Sequence, residues 1–170
     1  MPYSKGSKPL KKTDESAKRF IMEVLGEDNF PCVDIDMTYN YKGTRCIFEF
    51  LKCEKPSSYL HPYNSHPHRY PRNYRKFKSL VNLKDEFKNA RLFLINYTDK
   101  DVYIKEAEDT AKNLVLIMEV EGYNAKAIEK WRRNGEKGSC NFLKITNVAY
   151  LTRETFKKKL MDLDPDKFFK

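Results

Sequence analysis

Alternating apolar and polar residues mark two strands between Cys32 and Glu54, on either side of the tetrapeptide Tyr41-Lys42-Gly43-Thr44. A glycine in a two-residue loop between two such runs is typical of a tight β-hairpin. If Lys42 and Gly43 form the loop, Tyr41 pairs with Thr44, and the same register places Asp36 across from Glu49. It also places Asp34 across from Leu51 on the same face of the hairpin.

The rest of the pattern predicts helices and strands in alternation. Apolar residues at helical spacing predict helices over 13–25, 74–87, 124–131 and 152–163, and apolar runs predict strands over 91–97, 102–107, 114–120 and 142–151. Residues 56–71 are rich in proline, tyrosine and histidine and predict an irregular loop. We therefore expect an α/β fold, in which residues 1–12 form a basic flexible arm and residues 13–170 form a single domain with a mixed central sheet flanked by helices.

The amino-acid composition indicates which kind of partner the protein binds. The chain has 170 residues, 33 Lys and Arg against 24 Asp and Glu, a net charge of +9, and 11 residues each of Tyr and Phe. Aromatic residues interleaved with cationic ones favour a nucleic acid as partner over a membrane surface.

The sequence shows no run of about 18 apolar residues and no signal-peptide pattern, so we expect a cytoplasmic protein. Its four cysteines have no CxxC spacing and predict free buried thiols.

The acidic residues of the hairpin are candidate ligands of a divalent metal ion. Asp36 and Glu49 would lie with Cβ atoms roughly 5 Å apart, and two like charges so close together destabilise a sheet unless a cation lies between them. A Mg²⁺ or Mn²⁺ ion would supply that charge. The alternative is that both carboxylates only solvate the polar face of an edge ribbon.

An acid on the first strand of a hairpin, an acid and a lysine on the second, and then a helix and a strand make the chain resemble the PD-(D/E)XK nuclease superfamily, which has the restriction-endonuclease-like fold. The resemblance implies that Asp36 and Glu49 bind Mg²⁺ or Mn²⁺ and that Lys52 assists the attacking water. Two residues separate Glu49 from Lys52 where the family has one. Strand alternation then sends Lys52 to the opposite face unless a β-bulge near Leu51 restores it.

Basic residues after the hairpin are candidate nucleic-acid contacts, because arginine and lysine bind phosphates and nearby tyrosines can stack on unpaired bases. They are Arg69, Arg72, Arg75, Lys76 and Lys78. A solvated helix face is the alternative. His61, His66 and His68 in the same loop admit a zinc interpretation, but their spacing matches no standard zinc motif.

The sequence therefore predicts a divalent-metal-dependent endonuclease that hydrolyses nucleic-acid phosphodiesters, with DNA as the preferred substrate. Two alternatives stay open. One is a catalytically inactive nucleic-acid-binding protein on the same fold, and the other is a basic protein-interaction or inhibitor module. The sequence does not decide between a monomer and a homodimer.

Overall fold

The structure is a computed structural model, and it describes residues 35–53, 62–98 and 114–170. These residues belong to one compact unit that spans Val33–Lys170. The predicted basic arm, the helix over 13–25, the strand over 102–107 and the residues Asp34 and His61 lie outside the described residues. Within the described part, no helix combines the length and apolar character that crossing a membrane requires.

The described residues form one five-stranded sheet in the order β1 to β5. The strands are β1 (Met37–Tyr41), β2 (Thr44–Cys53), β3 (Ala90–Thr98), β4 (Leu114–Tyr123) and β5 (Leu143–Thr152). Only β2 and β3 run parallel, and the other neighbours pair antiparallel. A parallel pair needs a crossover connection, and this one contains α1 (Tyr74–Glu86). The predicted mixed sheet flanked by helices is confirmed.

The hairpin forms as its turn residues dictate. Lys42 and Gly43 both have positive φ, at 46° and 83°, as a two-residue type I′ turn requires. The pairing runs from Tyr41 with Thr44 to Met37 with Phe48. The predicted register is therefore confirmed over β1.

Two further helices follow their sequence signals. Asn124 accepts a hydrogen bond from the amide of Ala127 at the start of α2 (Ala125–Arg133), and Thr152 accepts one from Thr155 at the start of α3 (Arg153–Met161). Phe87 lies beyond the end of α1 and is 38% exposed. It does not extend the apolar side of the helix as predicted, and its ring instead packs under the Arg45 guanidinium.

Each face of the sheet carries its own core. On the face covered by α1 and α2, hereafter the α1 face, Leu94 and Leu116 pack with Phe77, Leu80 and Trp131. On the opposite face, hereafter the α3 face, Phe48, Phe93, Ile95 and Ile117 pack with Phe168 of the C-terminal 3₁₀ turn Pro165–Phe169 and with Phe156 and Leu160 of α3. Alternation along β2 thus sends Ile47 to the α1 face and Phe48 to the α3 face.

The cysteines behave as the sequence predicts where the structure describes them. Cys46, Cys53 and Cys140 are buried free thiols, and Cys46 pairs with Tyr39 across the hairpin. Burial raises the pKa of the Cys46 and Cys140 thiols. These thiols are therefore protonated and pack as small apolar side chains.

A charged network also ties the C-terminal turn to the sheet. Arg91 of β3 donates to both carboxylate oxygens of Glu119 and to Asp166. Burial alone would lower the pKa of Arg91, but the hydrogen bonds to Glu119 and Asp166 outweigh it and hold that pKa above its usual value. The bidentate pair with Glu119 fixes the orientation of the guanidinium, and the hydrogen bond from its Nη1 to Asp166 then attaches the turn that carries Phe168 to the sheet.

Candidate active site and nucleic-acid surface

Asp36 lies at the open end of the hairpin, one residue before β1. Its Oδ2 accepts a hydrogen bond of 2.6 Å from the backbone amide of Phe50, and the side chain is exposed. In a longer ladder the Phe50 amide would pair with the backbone of β1. The carboxylate of Asp36 therefore ends the ladder and lies beside the residue that follows Glu49.

Glu49 lies on the α1 face of β2 and is 2% exposed. Its Oε1 forms an ion pair with Nζ of Lys76, which projects from the first turns of α1 and is 47% exposed. A buried carboxylate is costly unless a cation compensates it. The structure thus joins two residues to which the sequence assigned separate roles, a metal ligand and a phosphate contact.

Lys52 is exposed near the carboxyl end of β2. The pairing of β2 with β3 is continuous from Arg45 with Ala90 to Cys53 with Thr98, so no bulge interrupts β2 near Leu51. Strand alternation accordingly places Lys52 on the opposite face from Glu49. The bulge that would bring this lysine to the two carboxylates is absent from β2.

Lys52 nevertheless borders a cleft of about 300 Å³ at the carboxyl end of β2. In open α/β sheets, ligands bind outside the carboxyl ends of parallel strands, and β2 and β3 are the parallel pair here. Strand β2, the 3₁₀ turns before α1 and α1 itself form the walls, with the lining residues Phe50, Leu51, Lys52, Ser65, Pro67, Tyr70, Asn73 and Phe77. Phe50, whose amide binds the carboxylate of Asp36, is one of these residues, whereas Asp36 and Glu49 themselves do not line the cleft.

Exposed cations lie in the two segments that form the α1 side of this cleft, the 3₁₀ turns and α1 itself. The five candidates, Arg69, Arg72, Arg75, Lys76 and Lys78, are all exposed. Two of them fall in the first turn of α1, which contains no acidic residue. Cations at a helix N-terminus oppose the helix dipole, so the helix itself gives no reason for the charge of Arg75, whereas Lys76 compensates Glu49. Tyr70, 50% exposed, stands among them as a surface on which a base could stack.

Two histidines of the 3₁₀ segment contact each other. The rings of His66 and His68 lie 3.8 Å apart between centroids, and the Tyr63 hydroxyl lies 3.0 Å from Nε2 of His68. Burial, and then the proximity of His68, lower the pKa of His66 to about 4. Burial and Arg69 also lower the pKa of His68. The fold therefore favours the neutral form of both imidazoles.

Asn96 is a buried polar residue that the sequence interpretation missed. It lies fully buried on the α1 face of β3, across from Leu51. Its Nδ2 donates to the carbonyl of Pro62 at 3.0 Å, while its Oδ1 has no hydrogen-bond partner among the described residues. The bond attaches the 3₁₀ segment to the sheet. A lone amide within the apolar run RLFLINY was the available signal.

The described residues contain no group of three or more His, Cys, Asp or Glu side chains arranged to hold a metal ion. No protein-family model, curated protein or solved structure matches the chain. The resemblance to the PD-(D/E)XK superfamily, and the metal site that it implies, stay predictions.

Proposed function

We propose that this protein is a divalent-metal-dependent nuclease, with DNA as its preferred substrate. Two observations support the proposal. The carboxylate of Asp36 binds the amide of Phe50, the residue after Glu49, and exposed cations lie in the 3₁₀ segment and helix α1, other residues of which line the cleft. A metal-dependent phosphodiesterase uses a metal at the scissile phosphate and cations that hold the strand. Among the described residues, Lys76 is a cation in direct contact with one of these acids.

Two carboxylates are enough for the proposed ion. Mg²⁺ keeps several of its waters and commonly binds one or two protein carboxylates together with substrate phosphates, so the small acidic group does not exclude it. Asp36 and Glu49 would hold the ion, which when bound supplies Lewis acidity towards the phosphate and its water. The ammonium group already beside Glu49 indicates that this buried position requires positive charge.

Among the described residues, the lysine that contacts Glu49 is Lys76 and not Lys52. We assign Lys76 the part that the motif gives to its lysine, which is to stabilise negative charge next to the acid. Lys52 lies at the rim of the cleft, where it would bind a phosphate of the strand. In this protein the cation beside the acid would therefore come from helix α1, whereas in the family's motif it comes from the same strand as the acid.

The test incubates single-stranded and double-stranded DNA and RNA with the protein in Mg²⁺ or Mn²⁺. Wild type should cleave at least one substrate, and Asp36→Asn and Glu49→Gln should each lower the rate by 100-fold or more, roughly the effect of losing a transition-state interaction. Glu154→Gln, an exposed acid of α3, is the matched control and should cleave normally. Intact substrates with wild type in both metals would refute the proposal.

A second candidate, nucleic-acid binding without cleavage, is favoured by one observation. The ion pair of Lys76 with Glu49 neutralises the acid without any metal. In that case fluorescence anisotropy would detect binding that weakens as salt rises. EDTA, Mn²⁺ and Glu49→Gln would then leave both the affinity and the substrate unchanged.

A further inference from the structure

A cavity of about 370 Å³ opens on the α3 face, on the side of the sheet opposite Glu49. Its lining is aromatic and aliphatic except for one cation: Phe50, Ile95, Tyr97, Val115 and Phe156 surround Arg153. Cavities of this size that are mainly apolar and contain a few polar groups are the common form of small-molecule sites. The shape and lining are therefore those of a ligand site.

Arg153 begins α3, and its side chain is only partly exposed. Its Nε and Nη2 are buried and have no hydrogen-bond partner among the described residues. Arg91, on the same face of the sheet, differs from Arg153 because its guanidinium donates hydrogen bonds to Glu119 and Asp166. Buried donors of a charged group are costly when unsatisfied. Arg153 therefore presents two unsatisfied donors beside an apolar cavity.

We propose that this cavity binds a small organic acid that has one carboxylate and an aromatic or aliphatic body. The carboxylate accepts hydrogen bonds from Nε and Nη2 of Arg153, because a guanidinium edge matches a carboxylate in a planar, bidentate pair. The apolar body packs against Phe50, Phe156 and Tyr97. This site lies on the face of the sheet opposite Glu49, and the proposal uses neither acid, so it does not depend on the nuclease proposal.

Charge selects a carboxylate over a phosphate ester. Arg153 is the only charged residue among the described residues that line the cavity, and it balances one negative charge. A phosphate monoester carries about −1.5 to −2 at neutral pH and would leave excess charge against apolar walls. A neutral alcohol would leave the guanidinium uncompensated.

The test compares 4-phenylbutyrate with 4-phenylbutanol, which have the same apolar body and differ in the charged end. Isothermal titration calorimetry should show the acid binding to wild type at least about tenfold more tightly than the alcohol, the effect of roughly one charged hydrogen bond. Arg153→Met should remove this preference. Lys157→Met, an exposed cation of the same helix, should keep it. Equal binding of acid and alcohol to wild type, or an unchanged preference in Arg153→Met, would overturn the proposal.

Methyl NMR of the wild-type protein gives a readout that does not depend on the folding of a variant. Adding 4-phenylbutyrate should shift the methyl signals of Ile95 and Val115, which line the cavity. The methyl signals of Ile47 and Leu80, buried on the α1 face, should stay in place. Shifts confined to the α1 face, or no shifts at millimolar acid, would refute the site.

Discussion

Replacing Lys76 with methionine tests the central ion pair of the candidate site. The change keeps most of the apolar stem of the side chain and removes its ammonium from Glu49. Removing one partner of a fully buried pair costs about 3–5 kcal/mol, and a surface pair is worth about 0–1 kcal/mol. Because Glu49 is 2% exposed but Lys76 is 47% exposed, we expect an intermediate loss of about 2 kcal/mol.

Urea unfolding measures this loss through the fluorescence of Trp131. It is the single tryptophan of the chain and is 6% exposed, so unfolding transfers it to water. Lys78→Met, an exposed lysine on the same helix, is the control and should change the free energy of unfolding by less than about 0.5 kcal/mol. The double variant Glu49→Leu/Lys76→Met should recover most of the loss, since apolar replacement of a buried pair is often neutral.

The same variant discriminates between the two proposed functions. If Asp36 and Glu49 hold a metal, removing the competing ammonium should strengthen Mn²⁺ binding. At one fixed Mn²⁺ concentration, equal to 100 times the Kd of wild type, the ion would then raise the free energy of unfolding of wild type by about 2.7 kcal/mol. The gain should be larger in Lys76→Met than in wild type and absent when Glu49→Gln is added. An equal response of all three proteins to Mn²⁺, or none, would refute the metal site, and a stability loss no larger than that of Lys78→Met would refute the energetic role of the ion pair.

The remaining predictions concern pH and salt. The fold depresses the pKa of His66 to about 4, so its contribution to stability is present above its unfolded pKa near 6.5 and is lost as pH falls. From pH 7 to pH 5 the loss is about 2 kcal/mol, and urea unfolding of His66→Gln at both pH values should lack it. A hydrogen bond from Arg91, together with its charge, lowers the pKa of Asp166. Asp166→Asn should therefore flatten the fall in stability below about pH 4, whereas an unchanged slope would contradict this. Arg72→Ala and Arg75→Ala should each reduce the salt dependence of DNA binding, seen as a slope about 1 smaller in a plot of log K against log salt, and an unchanged slope would remove that residue from the interface.

Local sequence signals were sufficient to predict the hairpin. The two residues of its turn fix the pairing, because a two-residue loop with positive φ permits only one register. This is why Tyr39 pairs with Cys46 as expected. The apolar run over 91–97 likewise forms β3, because its short length favours a strand over a helix.

Contacts between distant segments were not predictable from a local pattern. The partner of Glu49 depends on how α1 crosses from β2 to β3 and on which turn of the helix lies over the acid. The sequence therefore identified Lys76 as a cation but not its contact. The contact of Asn96 was likewise not predictable from the local sequence. Its side chain looks misplaced in an apolar strand until the 3₁₀ segment supplies the carbonyl of Pro62.

The regular pairing of β2 determines on which face of the sheet Glu49 and Lys52 lie. Because β2 pairs with β3 without interruption, an acid and a lysine three residues apart must point to opposite faces. Any cation that acts beside Glu49 must then come from another element. Helix α1 lies on the correct face, and Lys76 already makes the contact. The cleavage rates of Lys52→Met and Lys76→Met therefore decide which lysine belongs to the site. A greater loss of kcat in Lys76→Met supports the helix lysine, whereas a greater loss of kcat in Lys52→Met would contradict that assignment.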